Sequence, residues 1–149
     1  MRTFSNVFLS LIASLFFVLA ASDVAAANQK ACTTAEEKQA LDQADSLRDW
    51  DAVYRSFTHF AQCDDGAIAE GYSDTVGRLL ARDWKHLGAL AKVVATDKKF
   101  ESFVLRHIDE TLPADVLKTI ASNSEKSCPA DHTALCGKIL RKARSASAN

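Results

Sequence analysis

Four cysteines constrain this chain more than any other feature. Cys32, Cys63, Cys128 and Cys136 all lie beyond an N-terminal apolar segment. An even number of cysteines in an exported chain reads as two disulfides. The N-terminus supplies the export argument. Arg2 gives a short positive start, and residues 7–20, VFLSLIASLFFVLA, form an apolar run of 14 residues. A membrane-spanning helix needs roughly 20. Small residues follow, and Val24 with Ala26, or Ala25 with Ala27, fit a signal-peptidase site. Cleavage is expected after Ala26 or Ala27. Gln29, Lys30 and Ala31 before Cys32 do not make a lipidation signal. The expected address is the periplasm or the exterior, with no stable membrane insertion after cleavage.

This divides the chain into a signal peptide over 1–27, a domain over 28–144 and a disordered tail over 145–149. Removing the leader takes Arg2 and Asp23 together, so the net charge stays at −1. A chain so balanced offers no electrostatic argument for nucleic acid. Few glycines and the lone prolines Pro113 and Pro129 beyond the leader favour helix.

Apolar residues recur at three- and four-residue steps throughout. A capping box, Thr33 with Glu36 or Thr34 with Glu37, opens a helix over 34–47. Asp49 caps a second over 50–62, which carries Trp50, Val53, Phe57 and Phe60. Asp64-Asp65-Gly66 is a turn. A third helix starts near Ala67, a fourth follows a cap at Asp83, and a fifth follows Asp97. Pro113 suits the first turn of a sixth. Asp131 caps a last helix, whose basic end complements the helix dipole. The expected fold is all-α, about seven short helices stacked as antiparallel pairs in one domain. Cys32 precedes the first helix and Cys63 follows the second. A hairpin brings them together, and a bond there would contribute about 3 kcal/mol. Cys128 and Cys136 would staple the last helix. The competing use of Cys128, His132 and Cys136 is zinc, but Pro129 interrupts any helix through Cys128 and no fourth ligand is evident. No metal and no cofactor are expected.

Arg48-Asp49-Trp50 recurs as Arg82-Asp83-Trp84, a spacing of 34 residues. The segment over 47–53 resembles the inter-helix turn of tetratricopeptide repeats, which implies helix pairs stacked in sequence order. The segments GYSDTVGRLLARDW and FVLRHIDET resemble uncharacterised exported all-helical proteins of proteobacteria. That resemblance implies an exported helical domain and no particular activity.

Candidate chemistry is thin. His107 and Asp109 with Arg106 and Glu110 form the densest polar group and contain the elements of an acid–base site. On a continuing helix Arg106 and Glu110 pair as surface ions, which makes the segment a solvated helix end. Glu70 and Asp74 could form a carboxylate pair for glycoside cleavage, and Asp74 and Arg78 also pair at four residues. Trp50 and Trp84 read as packing anchors first and as aromatic binding contacts second. The sequence therefore favours a non-enzymatic binding or interaction protein with another protein as partner. A specific case is an immunity protein that neutralises a secreted cell-wall-degrading toxin. The opposing reading is a small helical hydrolase. Trp50, Trp84, His107 and Asp109 are the candidate contact residues.

Overall fold

The computed structural model describes residues 30–44 and 46–148. The expected signal peptide over 1–27 lies outside them. The described residues form seven α-helices and no strand. They are α1 (Thr34–Ala44), α2 (Trp50–Phe60), α3 (Gly66–Arg82), α4 (Leu87–Thr96), α5 (Lys98–Arg106), α6 (Ala114–Lys126) and α7 (Thr133–Ala146). None of the described helices is long and apolar enough to cross a membrane.

Both disulfides form as the spacing predicts. Cys32 is bonded to Cys63, closing the α1–α2 hairpin, and Cys128 is bonded to Cys136, fixing the start of α7. They fit a protein of an oxidising compartment.

Local chemistry explains most boundaries. Thr33 and Glu36 form the capping box: the Thr33 N–H donates to Glu36 at 3.0 Å, and the Glu36 N–H to the Thr33 hydroxyl at 3.3 Å. Asp49 accepts from the Ala52 N–H at 2.8 Å. Asp97 accepts from both Lys99 and Phe100 N–H groups at 2.9 and 3.0 Å. Two expected caps are not caps. The Asp83 carboxylate takes the His86 ring at 2.7 Å, while Trp84–His86 form a 3-10 turn before α4. Asp131 lies inside another such turn, Ala130–His132, and α7 begins only at Thr133. The two Arg-Asp-Trp segments thus occupy different settings, one entering a helix and the other leaving one. The tail is also shorter than expected, because α7 runs to Ala146, which is buried with Ala143.

The stacking order differs from a sequence-ordered array. Hairpins α1/α2, α4/α5 and α6/α7 are present, but α3 packs on α1 and on α6. Polar contacts at the end of α3 account for the choice. The Asn123 amide donates to the Leu80 and Ala81 carbonyls at 3.0 and 3.1 Å, satisfying the unpaired end of α3. The Trp84 indole N–H donates to the Ser127 carbonyl at 2.9 Å. Close approach needs Gly77: a Cβ there would come within 2.6 Å of Leu112.

The core runs through Trp50, Val53, Val76, Leu79, Leu90, Phe100, Phe103, Ile120 and Ile139, all nearly or wholly inaccessible. Phe103 is its aromatic hub, with ring centroids 4.9 Å from both Phe57 and Tyr72 and 4.5 Å from His107.

Candidate functional site

The polar group at the end of α5 is not a solvated helix end. α5 stops at Arg106, and the chain turns through His107–Leu112 before Pro113 opens α6. Arg106 and Glu110 therefore do not share a helical face. Arg106 pairs instead with Asp64, in the connection between α2 and α3. The turn carries Ile108 and Leu112 into the core, and His107 goes with them, only 3% exposed.

His107 lies between two acceptors. Its Nδ1 is 3.0 Å from the Ser73 hydroxyl and its Nε2 is 3.2 Å from Asp64 Oδ2. The Ser73 hydroxyl donates to Asp109 Oδ2 at 3.0 Å. A hydroxyl has a single proton to give. With that proton on Asp109, Ser73 can only accept from His107 Nδ1–H. Nε2 faces a carboxylate, so the bonding is complete when both ring nitrogens carry protons. Asp109 also accepts from the Thr111 N–H at 2.9 Å and the Thr111 hydroxyl at 2.5 Å, which closes the turn. Below the ring, Tyr72 and Ser56 share a buried hydrogen bond of 2.7 Å.

Each residue reaches this point for a local reason. Ser73 is on the buried side of α3, one residue after Tyr72. Asp64 follows Cys63, which the disulfide fixes against α1. Gly66 then turns the chain at φ 50°, a conformation that glycine adopts without strain.

The electrostatics follow from these contacts. Burial pushes the Asp64 carboxyl upward, but the hydrogen bond and charge of His107, with Arg106, outweigh it and hold the group below its ordinary value of 3.8. Burial also opposes ionisation of Asp109, yet donation from Thr111 and Ser73 and the charge of His107 hold it low too. One atom is left over: Asp64 Oδ1 is buried and has no hydrogen-bond partner among the described residues. Asp64, Ala69, Glu70, Ser73, Arg106, His107, Asp109 and Thr111 line a hollow of about 180 Å³. A wider depression of about 740 Å³ lies on the other side of Asp64 and Arg106.

The remaining candidates do not join this cluster. Trp50 is buried at 2% exposure, in the core and not at a surface. Trp84 is half-buried, with its indole N–H bound to backbone. Asp74 faces a separate groove with Arg48 and Arg78, so Glu70 and Asp74 serve different hollows. Arg78 donates to the Leu47 carbonyl at 2.5 Å, and no ion pair with Asp74 forms. The sulfurs of Cys128 and Cys136 bond to each other and so cannot hold zinc. Among the described residues no group of three His, Cys, Asp or Glu is placed to hold a metal ion.

Comparison of the chain with protein-family models, with curated proteins and with solved structures gave no match.

Proposed function

We propose that this chain is a non-enzymatic binding protein of an exported compartment, with another protein as its partner. One observation carries the reading: the group best equipped for chemistry is turned inward and its protons are already placed. Ser73 is 3% exposed, and its hydroxyl proton is held by Asp109 rather than offered to His107. A serine nucleophile needs the opposite arrangement, with its proton directed at the base and its oxygen open to substrate. Disulfides near both ends of the helical body add rigidity, which limits the ordering cost of presenting a surface to a partner. The immunity protein is the specific form of this reading that its small size and disulfides support, and its partner would be a secreted cell-wall-degrading toxin.

A hydrolase is the second reading, and one observation favours it. Ser73, His107 and Asp64 stand in the order of a serine triad, at 3.0 and 3.2 Å. The separating experiment uses Ser73→Ala, a small change in a buried site. Wild type and variant are used to capture partners from periplasmic extract and are assayed on cell-wall fragments and simple esters. Capture of the same protein by both, without turnover, is the expected result. Turnover by the wild type that falls a hundredfold or more in the folded variant, on the order that acid–base groups supply, would replace the binding reading with the hydrolase.

A further inference from the structure

We infer that the hollow bounded by Asp64, Glu70 and Asp109 is a socket for a basic side chain, a lysine ammonium or an arginine guanidinium, presented by the protein partner. The inference rests on the binding reading and gives it a chemistry. Its first support is the Asp64 carboxylate. The side chain is 3% exposed, one oxygen is held by His107 and Arg106, and the other is buried with no donor among the described residues. A buried acceptor lacking a donor is the exception in folded proteins and points to a missing group.

Charge is the second support. Glu70 is exposed and pairs with no cation among the described residues. The three carboxylates face the Arg106 guanidinium and the His107 ring. Even with that ring protonated, one negative charge is uncompensated. Size is the third. A hollow of about 180 Å³ holds roughly six waters' worth of volume. That accommodates a charged group with its last methylenes. Access is the fourth. The Arg106 side chain is 62% exposed and lines both the hollow and the wider depression, so it is free to move as a partner's base arrives.

The test uses the full chain with both disulfides intact. Four probes are titrated while the His107 ring is followed by carbon–proton NMR: the N-acetyl N-methylamides of lysine, arginine, norleucine and citrulline. The two cationic probes should give saturable shifts, and the two neutral ones should not. Glu70→Gln, an exposed change that leaves the core alone, should weaken the cationic probes about threefold, as expected for an exposed charge pair. Asp64→Asn should abolish saturation. Equal response to citrulline, absence of saturation, or no effect of Glu70→Gln would overturn the socket and leave the Asp64 oxygen to a buried water. A capture arm separates this from the parent reading. Loss of the captured protein in the Glu70→Gln, Asp109→Asn double variant supports the socket. Undiminished capture by that variant refutes the socket and keeps the binding reading. Saturation by the lysine probe with no protein captured by the wild type removes the protein source and leaves a site for a free small amine.

Discussion

Replacing His107 with alanine is the sharpest test of the buried cluster. Were the residue on a solvated helix end, the substitution would fall within about 0.5 kcal/mol of neutral. The structure gives a different figure. His107 is 3% exposed, with its ring nitrogens 3.0 Å from the Ser73 hydroxyl and 3.2 Å from Asp64 Oδ2, while its ring packs 4.5 Å from Phe103 and 5.6 Å from Tyr72. Removing it withdraws a donor from a buried carboxylate whose other oxygen already has none. Breaking a buried charged pair by deleting one partner costs about 3–5 kcal/mol. Arg106 still touches Asp64 and, being mostly exposed, softens the loss, which places the expectation near the lower end, about 3 kcal/mol. For a domain of this size that corresponds to a fall in Tm of roughly 10 °C or more. Urea and thermal unfolding followed by circular dichroism under oxidising conditions measure it, with Glu110→Ala at the exposed neighbour as control. A loss below about 1 kcal/mol, matching that control, would show that the cluster is not the buried network described.

The disulfides should contribute unequally: loops of 31 and 8 residues imply about 3.7 and 2.5 kcal/mol in the loop-entropy model. Unfolding of Cys32→Ala/Cys63→Ala and Cys128→Ala/Cys136→Ala compares them, and a larger loss from the second pair would contradict the model. Asp97 binds two N–H groups at the start of α5, whereas Asp83 holds only the exposed His86 ring. Asp97→Ala should therefore cost about 1–2 kcal/mol and Asp83→Ala less than half of that, and equal losses in urea would reverse the assignment of caps. Asp64 and Asp109 are both held below 3.8 when folded. The unfolded chain then binds more protons, so their contribution is present above pH 3.8 and is lost as pH falls through the folded values. Acid titration of the urea midpoint should show this decline, shallower in Asp64→Asn, and stability that rises on acidification would refute the sign.

The helices and the disulfides were legible because both obey local rules. Apolar spacing marks buried faces, as at Trp50, Val53 and Phe60, and cysteines flanking a two-helix hairpin are bound to meet. Helix order in space was not legible. α3 chooses α6 through Asn123, whose amide reaches carbonyls more than 40 residues away, and nothing in its neighbourhood announces that. The site was half visible. His107 and Asp109 stood out by composition, but extending the helix beyond Arg106 placed them in solvent. Ile108 and Leu112 were the available signal: apolar residues four apart in a turn pull the intervening chain inward, and His107 with it. Asp64 looked like one member of an acidic turn. Its peptide bond to Cys63, a disulfide cysteine, was the only hint that it faces the body.

A buried ionic network of this kind need not add stability, since well-packed apolar residues often serve as well. Its value here lies in what it selects. Three separate pieces of chain converge on His107: the connection after α2, the middle of α3 and the turn after α5. An apolar contact among them would tolerate sliding by part of a residue, whereas directional hydrogen bonds to both ring nitrogens do not. The disulfides secure the periphery, and the network fixes how α5 sits on α3. A cluster serving only that purpose would leave no atom unpaired, because every unpaired buried acceptor weakens it. Asp64 Oδ1 is the exception. Asp64 is also a wall of the hollow that Glu70 lines. A partner's basic group would then complete the same network that orients α5, so binding there should stabilise the fold as well as engage the surface. A rise in the urea midpoint with the lysine probe, larger than with norleucine, is the corresponding expectation. Any probe that binds only the folded chain raises the midpoint, so a rise that is equally large in Asp64→Asn would place the contact outside the network.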